Sequence, residues 1–299
     1  MIKNILITGG TGFLGSHLIH DLLSKNFNII LLKRTTSDTW RINDILKHIK
    51  SYNLDTDDIE IAFKEQHIDV VIHTACCYGR KKEKLSDIIN ANILFGIKVF
   101  ENAILFNSDT FFNTDTFFNT STSLQKYLYQ YCLSKRQFLE WLNQTNSNIQ
   151  IINMKLQHMY GPNDDSSKFV PWVIEQFKQN KECINLTEGK QERDFIFIDD
   201  VVSAYSKVLE KCNTLPKFTE LNVGTGKPII LYQFVNEILK QYKSIHSDNI
   251  TKLNWGNIPY QEGEVMKVSS DISLLKLLDW YPVHSIQDGI KKTLFITQT

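Results

Sequence analysis

Charge of one sign, proline, long apolar runs and paired cysteines are all scarce in this 299-residue chain. Lys plus Arg and Asp plus Glu both number 33, so the formal net charge is zero. No overall field holds a polyanion, which disfavours a general nucleic-acid binder and leaves room only for local basic pockets. Thirteen glycines and six prolines, with 42% hydrophobic and 22% charged residues, describe a folded globular chain and not a disordered one. No uninterrupted apolar run approaches the ~20 residues that span a bilayer. Residues 1–7 enter a strand directly, without the charged region, apolar region and cleavage site of an export signal. The expectation is a soluble, cytoplasmic protein with no membrane partner. Cys76, Cys77, Cys132, Cys183 and Cys212 are odd in number and contain no CxxC pair. That argues against a disulfide framework or a metal site and fits a reducing compartment.

What the chain does have is alternation. Short apolar runs at 5–8, 28–33, 69–73, 110–115 and 150–156 read as buried strands, separated by helical patterns at 17–24, 57–66, 87–105 and 130–142. Strands and helices alternating in this way predict an α/β fold, with crossover connections and a parallel sheet covered on both faces. Residues 1–157 are expected to form one doubly wound dinucleotide-binding domain. After Tyr160-Gly161-Pro162 the alternation is lost. A smaller α/β substrate-binding lobe is expected from 158–193 and 216–299, with 194–215 returning to the first domain. One short duplication stands out: Asp109-Thr110-Phe111-Phe112-Asn113-Thr114 is followed at once by Asp115-Thr116-Phe117-Phe118-Asn119-Thr120.

The first strand runs into Thr8-Gly9-Gly10-Thr11-Gly12-Phe13-Leu14-Gly15 and then into a helix. Gly9 allows the tight turn, Gly12 lets a pyrophosphate approach the backbone, and Gly15 lets helix and strand pack closely. The helix start presents N–H groups and a positive dipole end to phosphates. The second strand ends Leu32-Lys33-Arg34. An NAD site usually has a carboxylate there for the ribose 2′-hydroxyl, whereas two cations suit a 2′-phosphate. NADP(H) is therefore expected over NAD. Farther on, Tyr131-Cys132-Leu133-Ser134-Lys135 puts a phenol and an ammonium at i and i+4 on one helix face. The nearby ammonium is expected to lower the Tyr131 pKa toward neutrality, for proton exchange with a sugar hydroxyl or ketone.

With these motifs in this order, the sequence resembles the extended short-chain dehydrogenase/reductase family of nucleotide-sugar epimerases, dehydratases and ketoreductases, over nearly its whole length. The resemblance implies a Rossmann-type fold. It also implies cofactor contacts from Gly9, Thr11, Gly12, Phe13, Leu14 and Gly15, and from Lys33, Arg34, Asn53 and Leu54. Asn53 stands where an acidic residue is usual. Thr74, Ala75 and Cys76, in the segment after the fourth strand, and Asn92, Tyr131 and Lys135 are further cofactor residues by the same resemblance. The substrate contacts it implies are Tyr78, Arg80, Thr116, His158, Lys168, Phe169, Arg193 and Glu264. His158 replaces a usual asparagine, Arg193 matches an arginine that holds the substrate diphosphate, and 261–264 lacks a usual arginine.

The family's third catalytic group is a Ser or Thr at the end of the fifth strand, and the duplication offers Thr114 and Thr120. Spacing from the preceding helix favours Thr114, while spacing to Tyr131 allows either. The run Thr114-Asp115-Thr116 lacks the second carboxylate that dehydratases of the family carry, and the cysteine of its 3,5-epimerase-reductases. That leaves hydride transfer at one sugar carbon, by a ketoreductase or a 4-epimerase. The NADP(H) expectation and the segments 73–80 and 158–162 point toward the CDP-abequose synthase-like branch. Members of that branch reduce a nucleotide-linked 4-keto-deoxyhexose for O-antigen synthesis. A homodimer paired through the 87–105 and 131–142 helices is the family expectation. A non-catalytic NADP-binding regulator is the contrasting class, but Tyr131 and Lys135 are both present.

Overall fold

The computed structural model describes residues 2–107 and 115–296. The first half of the chain forms β1 (Asn4–Thr8), α1 (Phe13–Ser24), β2 (Asn28–Lys33), β3 (Lys50–Asn53), α2 (Ile59–Glu65) and β4 (Val70–His73). It continues through α3 (Leu85–Ile89), α4 (Phe95–Asn107), β5 (Thr116–Thr122), α5 (Gln130–Gln144) and β6 (Gln150–Leu156). Then come β7 (His158–Tyr160), α6 (Phe169–Lys178), β8 (Cys183–Asn185), β9 (Glu192–Arg193), β10 (Phe195–Phe197), α7 (Ile198–Lys211) and β11 (Phe218–Val223). The last elements are β12 (Ile229–Ile230), α8 (Leu231–Ile245), β13 (Lys252–Asn254), α9 (Ser273–Leu277) and α10 (Ile286–Ile296). Two compact units result, one made of 1–156 with 202–222 and the other of 157–201 with 223–299. The segment joined to the first unit is thus 202–222 and not 194–215, which leaves β10 in the second.

The first unit carries a seven-stranded sheet in the order β11-β6-β5-β4-β1-β2-β3. The β1–β2, β1–β4, β2–β3, β4–β5 and β5–β6 pairs are all parallel. Its strands are near-continuous apolar runs because both faces are covered. On one face Leu6, Ile30, Val71, Phe117 and Ile151 pack with Ala62 and Phe63 of α2, Val99 and Phe100 of α4 and Phe138 of α5. On the other, Ile5, Ile7, Ile29 and Leu31 are equally buried, and the Phe118 ring stacks on Tyr205 of α7. This is the doubly wound Rossmann-type fold expected, with strand order reversing between β1 and β4, where such sheets bind ligands at their carboxyl ends.

Two details differ from the sequence reading. Of the fifth strand expected at 110–115, residues 110–114 lie outside the described residues; β5 is built from the second copy of the repeat, with Val70 opposite Thr116 and His73 opposite Asn119. Because the repeat is six residues long, an even number, both copies offer the same alternation of faces, and no local pattern separates them. The helix expected over 87–105 is α3, a π turn at Asn90–Leu94 and α4. An 18-residue window within Leu85–Phe106 reaches a mean hydropathy of 1.4, apolar enough by length and composition to cross a membrane. In this fold the helix contributes Ile88, Val99, Phe100 and Ala103 to the buried interior.

The second unit is built from strand pairs: β7 with β10 and β8 with β13 run parallel, and β9 with β12 antiparallel. Its core is aromatic. Phe195 stacks on Phe234 with centroids 3.7 Å apart, and Tyr160 meets both edge-on.

Candidate active site

In the first unit, β1 ends at Thr8 and the chain turns at Gly9, whose φ is +69°. A Cβ there would lie 2.6 Å from the backbone nitrogen of Ala75, so the glycine loop presses against the segment after β4. The Gly12 amide closes the turn onto the Gly9 carbonyl at 2.9 Å. At Gly15 a side chain would collide with the Gly9 carbonyl, which is the close helix–strand approach expected. No side chain caps the first turn of α1, so its positive end is available to an anion. Phe13 and Leu14 are buried within α1, whereas Thr11 lies at the loop's rim.

The segment after β4 is fastened to β1. The Thr74 hydroxyl donates to the Thr8 carbonyl at 2.8 Å, and the Ala75 amide to the Thr8 hydroxyl at 3.3 Å. His73 is fully buried with Nδ1 2.8 Å from the Thr8 hydroxyl. Burial, and then the Lys135 ammonium, hold its pKa well below the usual value. It is a neutral structural imidazole. Asn92 bridges this segment and α5. It is fully buried, donates to the Cys77 carbonyl at 2.8 Å and the Ser134 hydroxyl at 2.9 Å, and accepts from the Cys77 amide at 2.6 Å. With both amide hydrogens engaged it holds the Cys77 segment to α5.

The Tyr131 backbone carbonyl accepts from Ser134, itself bonded to Asn92. Its ring lies 4.8 Å from that of Tyr78, and the Arg80 guanidinium stands 5.2 Å over Tyr78. The structure therefore brings Tyr78, Arg80 and Tyr131 together. The expected lowering of the Tyr131 pKa is corrected: burial pushes the phenol well up, the Cys76 and Cys132 thiols push it further, and Arg80 opposes them. Lys135 is 2% exposed, its ammonium has no hydrogen-bond partner among the described residues, and burial lowers its pKa. A buried cation without a partner is costly, and the hydroxyls of a nicotinamide ribose are acceptors of the right kind. The glycine cradle and this ammonium together fit a dinucleotide.

At the end of β2, Lys33 lies opposite Asn53 in register, and Arg34 is exposed. Asn53 exchanges bonds with the Thr35 hydroxyl, Leu54 donates its amide to the Lys33 carbonyl, and Asp55 accepts from the Thr35 amide. Arg41 was not anticipated. Its guanidinium lies 4.4 Å over Trp40 and reaches the Thr11 carbonyl of the glycine loop at 3.5 Å. No local sequence pattern distinguishes it from a solvated cation.

Thr114 lies outside the described residues. The threonine that the second repeat brings to the carboxyl end of β5 is Thr120, 8% exposed, its hydroxyl 2.7 Å from that of Tyr205. Thr116, expected at the substrate, begins the strand instead. It is 2% exposed and donates to the Gln150 side chain at 3.1 Å, a displacement that follows directly from the six-residue shift. The run beside the site is therefore Thr120-Ser121-Thr122, which carries no carboxylate at all.

In the second unit, Arg193 donates to Glu264 and, at 2.6 Å each, to the Glu192 and Val265 carbonyls. His158 is held neutral: burial first, then the Arg193 guanidinium, lower its pKa from 6.5 to about 4 against the pull of Asp194. Asp194 is fully buried and accepts from the Thr225 and Gly226 amides at 2.9 Å, fixing the 222–226 turn. Lys168 pairs with buried Asp164 at 2.8 Å, and Phe169 lies against Trp172.

The NAD dependent epimerase/dehydratase family model matches residues 5–224. The chain is 36% identical to a CDP-abequose synthase of Salmonella muenchen, over 98% of this chain and 97% of that protein. It is 31% identical to a CDP-abequose synthase of Salmonella typhimurium, over 97% of each. A UDP-glucuronic acid 4-epimerase from Bacillus cereus, solved in complex with UDP-glucuronic acid and NAD, superposes with a TM-score of 0.78 at 22% identity over 99% of both chains.

Proposed function

The chain belongs to the NAD dependent epimerase/dehydratase family. From that premise we propose that it is an NADP-dependent oxidoreductase reducing the 4-keto group of a nucleotide-linked 6-deoxyhexose, in the synthesis of O-antigen sugars. One observation carries the reading. Tyr131 shares a helix with the buried Lys135 ammonium, which has no hydrogen-bond partner among the described residues, and the end of β5 reads Thr120-Ser121-Thr122 without the carboxylates of a dehydratase. The similarity to CDP-abequose synthases over nearly the full chain supports it.

Bound NADPH supplies the hydride for C4. A phenol whose pKa is raised remains a proton donor across neutral pH, so Tyr131 gives its proton to the developing alkoxide and regains one from solvent. Lys135 donates to the ribose hydroxyls, and a hydroxyl of the Thr120-Ser121-Thr122 run at the end of β5 holds the sugar oxygen. Lys33 and Arg34 take the 2′-phosphate, with Arg41 adding a third cation at the glycine loop. Arg193 offers the diphosphate its remaining N–H groups, in a fork already set by Glu264 and two carbonyls. A reaction that draws on NADPH and a nucleotide sugar fits a cytoplasmic enzyme. The exposed Ile89, Leu94, Leu105 and Trp141 support a homodimer formed through those helices.

The test is NADPH and NADH oxidation with CDP-, dTDP-, GDP- and UDP-linked 4-keto-6-deoxysugars. NADPH oxidation with one of them is expected, with Tyr131→Phe cutting turnover by at least a hundredfold at unchanged NADPH binding. Arg34→Ala is expected to weaken NADPH far more than NADH. Interconversion of C4 epimers without net oxidation would replace this reading with a 4-epimerase, and comparable turnover by Tyr131→Phe would refute the mechanism.

A further inference from the structure

Arg193 commits most of its donors inside the second unit. Nη1 donates to the Glu192 and Val265 carbonyls, at 2.6 Å each, and Nη2 donates to the Glu264 carboxylate. A guanidinium has five N–H groups in a planar fork. Nε and one hydrogen of Nη2 therefore remain for a ligand. The segment that carries Glu264 is also fastened to β9 by backbone, since the Glu192 amide donates to the Met266 carbonyl at 2.8 Å. The fork is thus set before any ligand arrives. With side chains 13% and 20% exposed, Arg193 and Glu264 are screened less than a surface pair.

The charge at this fork runs against its geometry. Glu264 cancels the guanidinium, and the fully buried Asp194 beside Arg193 adds a second negative charge. His158, with a pKa of about 4, is neutral at physiological pH and adds none. The run Gln261-Glu262-Gly263-Glu264 brings no cation. A diphosphate would meet oriented donors without net positive charge. Substrate and product of a 4-keto reduction carry the same diphosphate, so extra attraction to it tightens both. Such uniform binding lowers KM and slows release without helping the hydride step. We propose that Glu264 is a positioning residue with a counter-charge: it sets the Arg193 fork for the diphosphate while cancelling its charge, so that affinity stays moderate and the reduced product leaves. This rests on the reading that Arg193 holds the diphosphate, and deepens it.

The test is calorimetric binding of CDP, dTDP, GDP and UDP to the full chain as wild type, Glu264→Gln, Glu264→Asp and Arg193→Met, at about 0.05 and about 0.5 M salt. Glu264→Gln keeps an acceptor for the fork and removes the charge. It is expected to bind the recognised diphosphate about tenfold tighter than wild type at the lower salt and to lose most of that gain at the higher. KM for the 4-ketosugar nucleotide should fall with Kd, and kcat should not rise. Glu264→Asp keeps the charge and is expected to bind within about threefold of wild type. A merely structural glutamate would give the opposite sign, because its loss would loosen the fork and weaken binding. Equal or weaker binding by Glu264→Gln overturns the inference, and so does an equal gain in Glu264→Asp. If Glu264→Gln does not fold, wild type supplies the answer. Its Kd is expected to change by less than about twofold between the two salts, and a steep loss of affinity with salt overturns the counter-charge. If Arg193→Met binds as wild type does, or wild type and Glu264→Gln bind none of the four, the diphosphate assignment beneath it fails too.

Discussion

His158→Asn is expected to relieve an acid-induced loss of stability that wild type suffers. The native side chain is half-buried, with its Nδ1 buried and without a hydrogen-bond partner among the described residues, and its pKa is lowered from 6.5 to about 4. Above pH 6.5 the ring is neutral in both folded and unfolded chains and contributes nothing to pH dependence. As pH falls through 6.5 the unfolded chain binds a proton that the native ring refuses until about pH 4, so stability falls over that window. Between pH 7.5 and 5 the two binding curves separate by about 2 kcal/mol. Asparagine, which does not titrate, removes that difference. The assay is urea unfolding of wild type and His158→Asn at pH 7.5, 6.5, 5.5 and 5.0. Wild type should lose about 2 kcal/mol more than the variant over the range. Parallel pH dependences would refute the burial argument, and so would a wild-type imidazole that titrates near 6.5 by NMR.

Two further outcomes follow from the first unit. Asn92→Ala removes three hydrogen bonds, one buried and two part-buried, at about 1 kcal/mol each. It should lower stability by about 3 kcal/mol in thermal or urea unfolding and reduce turnover by loosening the Cys77 segment against α5, whereas an unchanged midpoint would show the bonds to be replaceable. Deleting 109–114 gives the same sequence as deleting 115–120, so the remaining copy must supply β5; turnover within about threefold of wild type is expected. Loss of folding would show that both copies are needed.

The alternation of apolar runs determined the fold class, since strands covered on both faces must be continuously apolar and parallel strands need helical crossovers. The glycine loop was equally legible, because a turn at positive φ admits glycine at Gly9 and a close backbone approach admits it at Gly15. The Tyr131–Lys135 pair was legible as a spacing, but its electrostatics were not. A pKa depends on burial from all sides, and the surroundings of Tyr131 raise it where an isolated helix turn suggested the reverse. The site beyond those motifs belongs to the tertiary structure. That 116–122 pairs with β4 and β6, so that Thr116 opens the strand, is a matter of tertiary contacts. Identical copies carry no local preference. Asn92 as a clasp, Arg41 at the glycine loop and Tyr205 behind Thr120 are contacts across 15 to 85 positions. Sequence periodicity reports which face of an element is buried. It holds no record of which distant side chain that face will meet.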